Sequence, residues 1–190
     1  ESSMGYYINP IISVVFGMIF FKEKLSRPTI VALFIALLGV LVMTINYGQV
    51  PWASLLLALS FAIYGVLKKR IVLDATRGLA IETLFILPFA LMYYVYLYMN
   101  HSMQFLHEGW QTDVLMMISG IITAIPLILF AKGAQIIPMY LLGFIQYVSP
   151  TITFLLGVFL YHEPFTEVEA IAFGCIWTAI AIFSYSSILE

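Results

Sequence analysis

The sequence has very little charge. Only 9% of its 190 residues are Asp, Glu, Lys or Arg, whereas 63% are hydrophobic. A soluble domain has about a quarter charged residues, so a globule of this composition could not cover its surface with polar groups. The net charge of −2 also argues against a nucleic-acid partner. The low charge therefore indicates a protein whose surface faces the lipid bilayer.

The sequence also lacks the residue patterns of enzymes and metal centres. Its one cysteine, Cys175, excludes an internal disulfide. The HExxH, G-x-S-x-G and phosphate-binding GxxxxGKS/T patterns are absent. His101, His107 and Glu108 share one connection between apolar runs, but not in a metal-ligand spacing. We therefore expect no enzymatic activity, no metal and no cofactor.

Seven long apolar runs make up most of the chain. Each approaches the roughly 20 residues that a membrane-crossing helix needs. None shows the alternating pattern of about ten residues that is typical of a barrel strand. The runs cover residues 4–21, 29–45, 52–67, 79–99, 114–130, 139–161 and 168–188. We predict an all-α integral membrane protein with seven transmembrane helices.

The eight Lys and Arg residues predict the orientation of these helices. All eight fall in the first, third and fifth connections, which lie on one side of the membrane if there are seven spans. The positive-inside rule makes that side cytoplasmic. We therefore expect a multi-pass protein of the cell (inner) membrane with a cytoplasmic C-terminus.

Two parts of the sequence are similar to each other at a constant offset, so that position 7 corresponds to position 147. Tyr7-Ile8-Asn9-Pro10 resembles Tyr147-Val148-Ser149-Pro150, and the pair Gly17 and Glu23 corresponds to Gly157 and Glu163. Because the first two runs match the last two, one repeat holds five helices, and an odd number inverts each copy. We predict that residues 1–47 are the last two helices of one repeat and that residues 51–190 are the second repeat. The whole protein would then have ten helices, three of them upstream.

Prolines and polar side chains at matching positions of the two copies are candidates for a functional site. Proline removes a helix hydrogen bond, and a freed carbonyl at membrane depth must face protein or water. Such residues can line a cavity, or they can make plain kinks and packing contacts between helices. As a working hypothesis we place them at a substrate cavity. Its candidates are Tyr6, Tyr7, Asn9, Pro10, Gln146, Tyr147, Ser149 and Pro150, with Tyr64 as a weaker one.

Glu82 is an acidic residue inside a predicted span, where an ionisable group is a functional candidate by default. We include it in the substrate cavity, toward the inner mouth. It lies about one helical turn from the cytoplasmic end of its run. An interfacial ion pair with Arg77 or a neighbouring lysine is therefore the alternative. We interpret Glu23 and Glu163, at helix ends, as solvated charges.

Small residues recur at helical spacing in the second and seventh runs. They are Ala32, Ala36 and Gly39 in the second, and Ala170, Gly174 and Thr178 in the seventh. Faces of this kind let helix backbones approach closely. We predict packing seams there, either within the protein or between two copies in a homodimer.

Four stretches of the chain, taken together, resemble the EamA family of the drug/metabolite transporter superfamily, in its RarD-like branch. The resemblance covers essentially the whole chain and rests on residues 5–10, 59–65, 81–88 and 142–150. It implies two inverted five-helix repeats and secondary transport of a small metabolite or drug by alternating access. The alternative is a helical membrane subunit that has kept the fold without transporting. A transporter predicts a polar cavity at Pro10 and Pro150, whereas a subunit predicts an apolar centre.

Overall fold

The computed structural model of the chain describes residues 2–107, 109–162 and 166–189, and these residues form helices without strands. The helices are α1 (Ser2–Phe21), α2 (Arg27–Tyr47), α3 (Trp52–Arg70), α4 (Ala75–Met99), α5 (Trp110–Ile136), α6 (Met139–Gln146), α7 (Val148–Phe159) and α8 (Glu167–Leu189). The predicted apolar runs lie in these helices. Within the described residues, six helical segments are long and apolar enough to cross a membrane, and Tyr6–Phe21 is a shorter apolar helix. The all-α membrane fold is therefore confirmed.

The sixth apolar run is divided between α6 and α7, which meet at Tyr147. Pro150 has no N–H to donate to the carbonyl of Gln146, so the regular helical hydrogen bond cannot form there. The backbone instead tightens, and the N–H of Tyr147 donates to the carbonyl of Phe144 at 3.2 Å. The corresponding Pro10 lies inside a continuous α1. The two copies of the motif therefore differ in backbone geometry.

The chain divides into two compact units. One comprises Glu1–Leu67 and Ile137–Glu190, and the other comprises Lys68–Ile136. In the first unit α1 packs mainly against α6, and α2 packs against α8. In the second unit α4 packs against α5, and Gln135 near the end of α5 donates to the carbonyl of Leu73 at 2.8 Å.

Both helix pairs of the first unit are antiparallel. Ser26, before the start of α2, has its hydroxyl 3.0 Å from that of Ser186 near the end of α8. At the other end of the pair, Gly39 faces Ala172 and Cys175 in the first half of α8. The contacts between α1 and α6 show that these two helices are also antiparallel. The α2–α8 pair joins two helices that the predicted repeat offset matches, and their opposed directions are what an inverted repeat requires. By contrast, α1 packs mainly against α6, whereas the offset matches most of α1 to α7.

The α2–α8 seam uses the small residues that were predicted on α2 but a different face of α8. Ala32, Ala36 and Gly39 are buried, as expected. On α8 the residues Ala170, Gly174 and Thr178 are exposed, and the prediction that they form a seam within the chain is wrong. The buried face of α8 instead includes Ala172, Ile176 and Ala179. The repeat offset matches these three to the three seam residues of α2, so it identifies the face that spacing alone did not.

Two positions that the predicted repeat offset matches share a backbone conformation. Lys22, after α1, and His162, after α7, both adopt a left-handed backbone conformation with φ of 53°. They are corresponding positions of the predicted repeat, and each stands where the chain leaves an apolar helix. Glu163, the predicted counterpart of Glu23, lies outside the described residues.

Candidate functional site

A pair of side-chain amides joins α1 to α6. The Nδ2 of Asn9 donates a hydrogen bond to Oε1 of Gln146. Asn9 is buried and Gln146 is half-buried. The two residues belong to different predicted repeats and are 137 positions apart. The pair was expected as two separate cavity residues, and the structure brings them into direct contact.

The amide pair lies beside a close approach of two helix backbones. A Cβ atom at Gly143 would lie 2.8 Å from the carbonyl oxygen of Pro10 and 2.9 Å from Val14. The backbone carbonyl has no room to move within a packed helix, so a larger residue at position 143 would push α1 and α6 apart. Gly143 therefore sets the separation at which Asn9 can reach Gln146. Pro10 itself is fully buried in this contact.

Four buried polar atoms around this contact have no hydrogen-bond partner within the described part of the chain. They are Asn9 Oδ1, Ser13 Oγ, Gln146 Nε2 and Tyr147 OH. We refer to the residues that carry them, Asn9, Ser13, Gln146 and Tyr147, as the polar cluster. An unsatisfied buried donor or acceptor costs about 1–3 kcal/mol. Four of them at one helix contact are expensive for a site whose only role is packing.

Aromatic side chains pack beside the polar cluster. The ring of Tyr7 meets that of Phe173 edge-to-face at 5.4 Å between centroids, and Phe154 stacks on Phe173 at 3.8 Å. The indole of Trp177 donates to the hydroxyl of Thr151 at 3.3 Å. Tyr7, Tyr147 and Phe173 belong to one hydrophobic core cluster. The polar cluster therefore sits next to a largely apolar and aromatic wall.

Glu23 closes the other end of the α1–α6 contact. Its carboxylate accepts hydrogen bonds from the backbone N–H groups of Met139 at 2.7 Å and Tyr140 at 3.0 Å. Pro138 precedes these residues and provides no side-chain cap for α6. A carboxylate at a helix N-terminus is favoured both by these N–H groups and by the helix dipole. The interpretation of Glu23 as a solvated charge is therefore wrong, because it is hydrogen-bonded to two residues that lie 116 and 117 positions away in sequence.

The spacing of Gly17 and Glu23 has a steric reason. A Cβ atom at Gly17 would lie 2.5 Å from Oε2 of Glu23, so glycine leaves the space that the carboxylate occupies. The sequence signal for this role was the pair of glycine and glutamate found at equal spacing in both copies. That signal marked the positions without revealing their partner.

Glu82 lies in the second unit and forms an ion pair. Its Oε1 is 2.7 Å from Nζ of Lys68, which is only 2% exposed, whereas the Glu82 side chain is 38% exposed. Gly78 lies beside this lysine, since a Cβ there would be 3.3 Å from Nζ. The observed geometry is that of the ion-pair alternative, with Lys68 rather than Arg77. A role of Glu82 in transport stays a prediction.

The structure places the predicted site residues in different surroundings. Tyr7, Asn9, Pro10, Tyr147 and Pro150 are buried in the first unit, and Gln146 is half-buried there. Tyr6 and Ser149 are exposed, so they are not part of the polar cluster. Tyr64 is half-buried, with its ring against Phe61. Sequence reasoning missed Ser13, which lies outside the matched four-residue motif but follows Asn9 by one helical turn.

The chain matches one protein-family model and is similar to several known proteins. The model of the EamA-like transporter family matches residues 50–185. The chain is 46% identical over 188 residues to an uncharacterized transporter, YojE, of Bacillus subtilis, covering 99% of this chain and 62% of YojE. It is 37% identical over 188 residues to the protein RarD of Escherichia coli, covering 99% of this chain and 64% of RarD. The chain thus spans about three fifths of the length of these relatives. No solved structure matches it.

Proposed function

Because the chain belongs to the EamA-like transporter family, we propose that it forms part of a secondary transporter for a small polar molecule in the cell's inner membrane. The polar cluster between α1 and α6 is the observation that carries this proposal. Buried polar groups are normally satisfied by protein or ordered water. A cluster that keeps four unsatisfied atoms at membrane depth has the properties of a site whose partners come and go.

We further propose that the transporter works by alternating access between inverted repeats. Residues 1–47 would belong to one repeat and residues 51–190 to the other, with the C-terminus in the cytoplasm. The antiparallel pairing of α1 with α6 supports this arrangement, because a site between inverted copies can open toward either side. In this scheme the Glu23 carboxylate, in the first and cytoplasmic connection, keeps the inner end of the α1–α6 contact closed. Its release from Met139 and Tyr140 would accompany opening inward.

The exposed small-residue face of α8, with Ala170, Gly174 and Thr178, is where we propose that a second copy would pack in a homodimer. The small-residue face of α2, with Ala32, Ala36 and Gly39, is already buried within the chain. This proposal is separate from transport, since the polar cluster lies in the α1–α6 contact.

Flux measurements test the proposed function. The full-length protein is reconstituted in liposomes, and exchange of a panel of neutral, acidic and basic metabolites is followed. We expect saturable flux of at least one compound above that of protein-free liposomes. Flux indistinguishable from that of empty liposomes would favour the alternative of a non-transporting membrane subunit.

Accessibility measurements test alternating access. Ser13→Cys is introduced in a cysteine-free background that includes Cys175→Ser, and its reaction with a membrane-impermeant thiol reagent is followed from each side. We expect labelling from one side at a time, with the favoured side shifted by a transported compound. Ser149→Cys is the matched control, since this position is exposed and lies outside the polar cluster. Equal labelling of Ser13→Cys from both sides at once would contradict alternating access.

The same flux assay tests Glu82. If Glu82 couples transport to protons, Glu82→Gln abolishes the pH dependence of flux. If its role is the ion pair with Lys68, the variant lowers the stability of the protein but leaves the pH profile of flux unchanged.

A further inference from the structure

The helices that carry the polar cluster have no charge. The sequences of α1, α6 and α7 contain no Asp, Glu, Lys, Arg or His. Two nearby carboxylates have other partners. Glu23 accepts from the start of α6, and Glu169 accepts from the backbone N–H and the hydroxyl of Thr166, both at 2.9 Å. A charged ligand would therefore lose its hydration without meeting an opposite charge on these three helices, which costs several kcal/mol.

The unsatisfied atoms define what a ligand must offer. Asn9 Oδ1 is an acceptor and Gln146 Nε2 is a donor, while the hydroxyls of Ser13 and Tyr147 can act as either. The hydrogen bond between Asn9 and Gln146 holds the first two groups on one amide pair. One free acceptor and one free donor are thus kept close together. Their complement is a molecule with a donor and an acceptor side by side.

We propose that the polar cluster binds an uncharged small molecule through an adjacent N–H donor and carbonyl acceptor, such as the edge of a carboxamide or a lactam. Asn9 and Gln146 contact this edge, and Ser13 and Tyr147 add hydroxyl contacts. The aromatic rings of Tyr7 and Phe173 provide the apolar surroundings that suit a flat ligand. This proposal names the substrate class of the site, and so it rests on the transport function proposed above.

A purely structural role for the amide pair makes a different prediction. If Asn9 and Gln146 hold the helices together, replacing both with leucine removes that contact and lowers the melting temperature. If they are kept for a ligand, Asn9→Leu with Gln146→Leu leaves stability unchanged or raised. This follows because exchanging both polar partners for apolar groups of similar shape is nearly neutral or stabilising.

The experiment uses the full-length protein in detergent and in liposomes, with matched pairs of probes. Nicotinamide is compared with nicotinate, and benzamide with benzoate and benzamidine. We expect the neutral amide of each set to raise the melting temperature and to compete for flux. The Asn9→Leu/Gln146→Leu variant should bind these amides at least about tenfold more weakly, which is the loss of one hydrogen bond. Ser149→Ala is the control and should bind them like the parent.

Several results would overturn the proposal. They are protection by the charged probes that equals or exceeds protection by the amides, no protection by any amide, and equal amide binding by the double leucine variant. A large loss of stability in that variant would also overturn it. If charged compounds are transported and the double leucine variant does not change their flux, the transport function is supported and the proposed amide site is refuted. If no compound is transported but the variant still loses amide binding, the site stands and the transport function falls.

Discussion

The two antiparallel helix contacts of the first unit are built from opposite kinds of residue. Between α2 and α8 the contact consists mainly of alanine, glycine and larger apolar side chains, with the Ser26–Ser186 hydroxyl contact at one end, and Gly39 lets the backbones meet. Between α1 and α6 the contact contains an amide pair, a carboxylate cap and four polar atoms that find no hydrogen-bond partner among the described residues. Both contacts are antiparallel and lie in the same unit, so helix direction alone does not explain the difference.

The comparison separates stability from function within one fold. A close-packed apolar contact is stabilised by dispersion at little cost in free energy, and nothing in it favours separation of the two helices. A contact with unpaired polar groups gives up part of that stability. Proteins carry such a cost mainly at functional sites. The α2–α8 contact is therefore the expected fixed frame of this unit, and the α1–α6 contact is the expected working part.

The largest expected effect is at Glu23. Glu23→Ala removes both hydrogen bonds to the start of α6, and hydrogen bonds to a charged group are worth about 1.5–3 kcal/mol each. Since the side chain is half-buried, we expect a loss of about 3 kcal/mol in the free energy of unfolding, measured by denaturant titration in detergent. Lys24→Ala, at an exposed neighbouring position, is the control. A change below about 0.5 kcal/mol, the size typical of surface substitutions, would show that the cap contributes nothing.

The next largest effect is expected at Gly39, in the α2–α8 contact. A Cβ at Gly39 would lie 2.8 Å from the carbonyl oxygen of Ala172 and 3.0 Å from Cβ of Cys175. Gly39→Ala therefore forces α2 and α8 apart, and overpacking of this kind costs about 1–3 kcal/mol. We expect thermal unfolding at lower temperature but unchanged affinity for any transported compound. A changed affinity with unchanged stability would contradict the interpretation of the α2–α8 contact as the fixed part of this unit.

A smaller effect is expected at Gly17. The added methyl group of Gly17→Ala would overlap the Glu23 carboxylate, whose side chain can swing away, so we expect a loss of about 1–2 kcal/mol through the weakened cap. In a Glu23→Ala background the same change should cost less than half as much. A double-mutant cycle measures this coupling. Additive losses would mean that Gly17 acts through Met139, the other neighbour of the added atom.

The smallest effect is expected at Gly174, on the exposed face of α8. A Cβ there would meet none of the atoms of the described residues within 4 Å. Gly174→Ala should stabilise the helix by up to about 1 kcal/mol, because alanine loses less backbone entropy than glycine on folding. It is also the matched control for Gly39→Ala. If the variant shifts a dimer toward monomer in light-scattering measurements, the proposed contact between copies gains support.

Much of the fold was predictable from the sequence, but the helix ends were not. The apolar run 114–130 became α5, Trp110–Ile136, and the run 52–67 became α3, which extends to Arg70. Hydropathy reports the length that contacts lipid, whereas helical hydrogen bonding continues past that boundary into polar residues. Lys68 illustrates the consequence, because it is a helix residue paired with Glu82 rather than a loop cation.

The site was predictable only in part, for the same kind of reason. The matched motifs pointed to Tyr7, Asn9 and Pro10, and these are buried. They also pointed to Ser149, which is exposed because α7 begins anew after Tyr147 and turns this position outward. Small-residue spacing on α8 suggested the wrong face, since a helix can carry small residues on more than one side.

Local patterns were sufficient for the type and approximate positions of the apolar helices and for proposing a correspondence between two copies. This is because hydrophobic length and repeat spacing are properties of short stretches of chain. The partners of the polar groups depended on packing in three dimensions. Asn9 meets Gln146 and Glu23 meets Met139 across 137 and 116 residues. Such pairs form only when α1 and α6 run antiparallel at the short distance that Gly143 allows.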